Sequence, residues 1–140
     1  MGLVKRAKLI KEFARVLVAE YGGKPPTDKK AILNLPGVGP YTASAVLCFA
    51  YGKREAILDT NVERILSRFF GISHGLTGTR RYSVLWEASR KLLPKKNFRE
   101  FNWALLDFAA LVCTFSKPKC LRCPMKNLCA FIEINKSQIS

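Results

Sequence analysis

The sequence predicts an all-α fold. Apolar residues recur at three- and four-residue spacing, clusters of glycine and proline punctuate them, and no stretch shows convincing strand alternation. Leu9, Ile10, Phe13, Val16, Leu17 and Tyr21 form the apolar stripe of a first helix, with Lys5, Lys8, Glu12 and Arg15 between them. Gly22-Gly23 ends that helix and Pro25-Pro26 starts a turn. A short helix over 29–34 and a longer one over 40–51 follow, joined by Leu35-Pro36-Gly37-Val38-Gly39. Gly52-Lys53-Arg54 breaks the longer helix. Ile57-Leu58-Asp59 makes a short extended approach to the next one, which Thr60 and Glu63 open as a capping box. Val62, Ile65, Leu66, Phe69 and Phe70 line its buried face. Helices over 79–93 and 97–112 complete the series, and a cysteine loop with little regular structure follows. Cys48 reads as a small buried thiol and Trp86 and Trp103 as core residues. His74 stands alone in a loop with no evident role.

With 140 residues, 49% of them hydrophobic, the chain is long enough for one domain or slightly more and can bury a core. Twenty-four Lys and Arg oppose ten Asp and Glu, a formal net charge of +14. An excess this large on a small domain points to a polyanion such as nucleic acid. The basic residues are spread through foldable helices, which argues against a disordered basic tail. No run of about 18 apolar residues exists to span a membrane, and the N-terminus lacks the apolar core of a secretory signal. The expected location is the cytoplasm, at the nucleoid, or a nucleus.

Three constellations carry chemistry. In the first, Gly37 and Gly39 flank Val38 in a tight turn between helices, where glycine opens unusual backbone angles and lets another chain approach closely. Pro40 suits the first position of the next helix. Free N–H groups at the turn and helix start form an anion site that a DNA phosphate fits without sequence readout. In the second, Asp59 stands at a helix mouth, where a carboxylate favours the dipole by about 0.3–1 kcal/mol. The third is Cys113, Cys120, Cys123 and Cys129, spaced for metal rather than for disulfides in a chain without a secretory signal. Zinc and an iron–sulfur cluster both suit that spacing, with Pro124 after Cys123 mildly favouring a ferredoxin-type loop.

Leu35-Pro36-Gly37-Val38-Gly39-Pro40-Tyr41-Thr42-Ala43, then Leu58-Asp59-Thr60-Asn61-Val62 with Arg64, then Phe101-Asn102 through Leu106-Asp107-Phe108, then the four cysteines, resemble the endonuclease III superfamily of DNA glycosylases in order and spacing. The resemblance implies a helix-hairpin-helix glycosylase fold: a partial six-helix barrel with an iron–sulfur loop. The implied layout is a helical region over 1–112 with its hairpin near 29–51, a 4Fe–4S loop over 113–129, and a tail over 130–140. It implies that Leu35, Gly37, Val38, Gly39, Tyr41 and Thr42 contact DNA and that Cys113, Cys120, Cys123 and Cys129 ligate the cluster. It places Asp59 at the flipped nucleotide, with Asn61 holding it or the neighbouring sugar and phosphate.

A carboxylate there stabilises the positive charge that develops on the sugar as the glycosidic bond breaks, once the base has left the stack. Bifunctional members carry lysine where this chain has Tyr41, and tyrosine forms no Schiff base. The implied activity is therefore monofunctional base excision from double-stranded DNA holding a mismatched or damaged base. Thymine or uracil opposite guanine leads, and adenine excision is the alternative. The family's first barrel helices and the wedge that fills the flipped base's place would precede Met1. The short C-terminus favours the mismatch branch. A non-catalytic DNA-binding iron–sulfur module is the reading of another class. The chain is expected to act as a monomer, or with a complementing N-terminal chain.

Overall fold

A computed structural model describes residues 3–72 and 77–135. His74 and positions 136–140 of the expected tail lie outside the described residues. Among those described, all regular structure is helical, and no helix is long and apolar enough to cross a membrane. The chain forms two compact units, Met1–Lys53 and Arg54–Ser140.

In the first unit, α1 (Leu3–Tyr21) ends where Gly22 and Gly23 adopt positive φ of 59° and 80°. Such angles cost little only for glycine. Helix α2 (Lys29–Leu33) begins at Asp28, whose side chain accepts the Ala31 amide at 3.0 Å. That hydrogen bond holds the Asp28 carboxyl below its ordinary pKa. Helix α3 (Pro40–Ala45) runs into a π-helical turn, Val46–Ala50, where a plain α-helix was expected. Ile32, Ala43 and Leu47 form the core beneath the hairpin, with Val38 and Val46 packed against it. The Tyr51 hydroxyl donates to the Pro25 carbonyl at 2.6 Å and Lys53 Nζ to the Thr27 carbonyl at 2.5 Å. Both contacts tie the end of the hairpin to the loop before it.

The second unit opens with an extended segment whose Ala56, Ile57 and Leu58 are buried. A buried backbone outside helix or sheet needs other partners, and side chains supply them. Ser89 Oγ donates to the Ile57 carbonyl at 2.8 Å and Asn102 Nδ2 to the Glu55 carbonyl at 2.9 Å. Helix α4 (Thr60–Phe70) is central: α5 (Gly78–Leu92), α6 (Phe98–Leu111) and α7 (Ala130–Ile134) each pack on it. Val62, Ile65 and Leu66 are buried as expected, while Phe70 is 46% exposed. Gly71 ends α4 with a φ of 65°, its amide donating to the Ser67 carbonyl.

Several expectations need correction. Asp59, not Thr60, caps α4, and Glu63 pairs with Arg81 instead of reaching back to close a box. Trp103 is 47% exposed, whereas Trp86 is buried at 6%. The region after Val112 has more structure than expected: 3₁₀ turns at Cys120–Arg122 and Lys126–Leu128, then α7.

Candidate functional site

The hairpin turn divides labour between its glycines. Gly37 has a φ of +77° and lies against the Leu9 side chain, where a Cβ would overlap Leu9 Cδ2. Gly39 has an ordinary φ of −98° and nothing within 4 Å of an added Cβ. Gly37 therefore answers the backbone requirement, and Gly39 leaves open space beside the chain. The Val38 amide is used within the turn, donating to the Leu35 carbonyl at 3.1 Å. Among the described residues, the amides of Gly37, Gly39, Tyr41 and Thr42 find no acceptor. Unpaired amides at an exposed helix start suit an anion.

Leu35 is 3% exposed, so its side chain belongs to the core. Val38 is half-buried against the same core. Tyr41 and Thr42 lie on the first turn of α3, Tyr41 36% exposed.

Asp59 is half-buried and held on three sides. Its Oδ1 accepts the Asn61 amide at 3.0 Å and the Val62 amide at 2.8 Å. Its Oδ2 accepts Asn61 Nδ2 at 2.8 Å. A carboxylate has about four lone-pair positions, and the remaining one lies on Oδ2. Asn61 Oδ1 in turn accepts Arg64 Nη1 at 3.0 Å. Arg64 also donates to the Cys113 and Ala109 carbonyls, both at 3.0 Å. A continuous polar relay thus runs from Asp59 through Asn61 and Arg64 to the backbone of the first loop cysteine. Asn61, expected to hold Asp59 or the neighbouring sugar and phosphate, donates its Nδ2 to Asp59 Oδ2 in the structure. Arg64 entered the sequence reading only as a motif letter, and Arg68 was missed. Asn61, Arg64 and Arg68 recur at three- and four-residue spacing along α4, a polar stripe that could have marked them.

Cys113, Cys120, Cys123 and Cys129 are half-buried free thiols that line one cavity with Phe108, Val112 and Phe131. Burial pushes the Cys120 thiol pKa up; Cys113, Cys129 and Cys123 push the same way, and Arg68 opposes them. Among the described residues, no three His, Cys, Asp or Glu side chains are gathered tightly enough to hold a single ion. Four thiols facing one apolar-walled cavity are a donor set that fits an iron–sulfur cluster, which takes one thiolate per iron.

A helix-hairpin-helix motif model matches residues 20–49, which span the hairpin. The fold and the glycine turn together define a helix-hairpin-helix protein, with a capped aspartate and a four-thiol loop in its second unit. Its sequence and fold are similar to those of the endonuclease III superfamily. Within it, the chain is 45% identical over 129 residues to a thymine/uracil-DNA glycosylase of Methanothermobacter thermautotrophicus. That match covers 92% of this chain and 58% of the relative. An adenine DNA glycosylase of Buchnera aphidicola is 35% identical over 136 residues, 97% of this chain and 38% of that one. The solved structure of a thermostable thymine-DNA glycosylase superposes with a TM-score of 0.85 at 45% identity, covering 95% of this chain and 61% of that one. A trapped covalent intermediate of endonuclease III with DNA superposes at 0.80 with 27% identity, covering 94% and 60%. The chain thus spans less than two thirds of the length of these relatives.

Proposed function

We propose that this chain carries the catalytic and DNA-gripping part of a monofunctional DNA glycosylase that removes thymine or uracil opposite guanine. The observation that carries the reading is the clamped carboxylate of Asp59. Two amides and an amide side chain fix it in a half-buried place, with one lone-pair position to spare. A preorganised negative charge of this kind lowers the barrier to an oxocarbenium-like sugar without reorganising during the step. The bond broken is that between the sugar C1′ and the base nitrogen. Water adds to C1′ and loses its proton, and the base leaves protonated, so the products are a free base and an abasic site. Tyr41, exposed beside the hairpin amides, lacks an amine to attack the sugar. The strand therefore stays whole until alkali is added.

Supporting the substrate choice is the 45% identity to a thymine/uracil-DNA glycosylase. Adenine excision is the second reading, on the similarity to adenine glycosylases. A reading of another class is a DNA-binding module without turnover of its own, on the net charge of +14 and the unpaired amides of the hairpin. Cys113, Cys120, Cys123 and Cys129 would hold a 4Fe–4S cluster, whose contribution is to order the loop so that its basic residues meet phosphates. A cytoplasmic or nuclear location follows from the substrate.

The test incubates cluster-loaded protein with duplexes holding T·G, U·G, A·G or A·8-oxoguanine, with and without alkali. Alkali-dependent cleavage of the T·G and U·G strands is expected. Cleavage of the adenine strands alone favours the second reading. Tight binding with no cleavage of any duplex leaves the binding module, and cleavage without alkali overturns the monofunctional assignment.

A further inference from the structure

Arg68 lies outside the relay described above and contacts both ends of the cysteine loop. Its Nη1 donates to the Thr114 carbonyl at 2.6 Å and to Cys113 Sγ at 3.5 Å. Its Nη2 donates to the Phe115 carbonyl at 2.8 Å. Its guanidinium carbon sits 5.0 Å from the ring centroid of Phe131, two residues beyond Cys129. The Cys129 thiol donates to the Arg68 carbonyl at 3.8 Å. One side chain thus fastens three consecutive residues at the start of the loop and stacks on the helix at its end.

We infer that Arg68 is the positioning residue for the proposed iron–sulfur cluster, clasping the loop closed and donating an N–H to the sulfur of Cys113. The inference rests on the cluster reading above. A cluster-bound thiolate at Cys113 would make the Arg68 contact charge-assisted. Arginine is the side chain suited to this task. Its rigid fork serves two carbonyls and a sulfur at once while its flat face lies on an aromatic ring, and the point charge of lysine does neither.

A cation and donor beside a ligating sulfur stabilise the more reduced cluster, since hydrogen bonds to sulfur and local charge set cluster potentials. Loss of a partner of this kind to a metal ligand typically costs about 10- to 100-fold in metal affinity. The experiment reconstitutes the full chain, Arg68→Gln, Arg68→Lys, Phe131→Leu, and Arg90→Gln as control. Arg90 stacks on Trp86 of α5 at 5.4 Å and carries no cysteine contact in the structure. Iron and sulfide content, the rate of cluster loss to a chelator, and the midpoint potential are read.

Arg68→Gln is expected to lose the cluster at least tenfold faster and to show a more negative midpoint. Arg68→Lys keeps the charge and should restore part of the potential but little of the retention. Phe131→Leu keeps the N–H to sulfur, so it should lose cluster faster at an unchanged potential. An Arg68→Gln protein matching Arg90→Gln in retention and potential overturns the inference. If Arg68→Gln fails to fold, an Arg68→Lys protein with native retention overturns it equally. Wild-type protein without iron and sulfide overturns the cluster reading itself, a result distinct from either.

Discussion

Asp59 has two jobs on one side chain, and substitution separates them. As the cap of α4 it satisfies two amides; as the proposed charge at the sugar it must be anionic. Asparagine caps a helix about as well as aspartate but carries no charge. Asp59→Asn keeps the two backbone caps but sets its NH2 against Asn61 Nδ2, so it should melt somewhat below wild type, still bind mismatched DNA and lose most turnover. Asp59→Ala should lose turnover and also about 0.5–2 kcal/mol of stability. Melting curves beside the alkali-cleavage assay check both, and wild-type turnover in Asp59→Asn would remove the residue from the mechanism. The sequence placed this aspartate at a helix mouth but read the cap one position late. Thr60 and Glu63 have the right spacing for a box, and nothing local reveals that Glu63 pairs with Arg81 from α5. Pairings between elements are invisible to a local pattern.

Among elements, the hairpin was the most legible because its requirements are local: a left-handed residue, an open edge and a proline at a helix start all lie within a few positions. Its two glycines should respond differently to alanine. At Gly37 the φ of +77° must be kept by a residue with a Cβ, a cost of roughly 1–2 kcal/mol. The new Cβ also overlaps both Cδ2 and Cγ of Leu9, so that side chain must move as a whole and adds to the loss. At Gly39 the added methyl enters open space, so stability should hold while a DNA strand meets an obstruction. Thermal melts and fluorescence anisotropy on a short duplex separate the effects. Gly39→Ala with native affinity would contradict a close backbone approach. The π-turn at Val46–Ala50 and helix α7 were not legible. An i→i+5 turn leaves no periodic mark in five residues, and α7 is too short to show a stripe. Its place depends on packing against α4, which only the assembled unit supplies.

At the scale of the whole molecule, the charge of +14 points to a polyanionic partner but not to where the contact lies. Lys117, Lys119, Arg122 and Lys126 are all exposed around the four-thiol loop. Exposed lysines on a loop are also what any solvated surface looks like, so their number alone decides nothing. Salt dependence does decide. Each phosphate neutralised on duplex DNA releases counterions and adds about −0.9 to the slope of log affinity against log salt. Four such contacts contribute about −3.6, so a fourfold rise in salt should weaken binding about 150-fold through the loop alone. Replacing all four with glutamine should remove that part of the slope, since neutral amides displace no counterions from DNA, while the hairpin's amide contacts keep their largely salt-independent share of the affinity. A slope unchanged by the replacement would mean that the loop cations face water and that the net charge attracts DNA only at long range. Stripping the proposed cluster from the wild-type chain should flatten the slope in the same way, because an unfastened loop cannot hold four cations in register with a phosphate backbone.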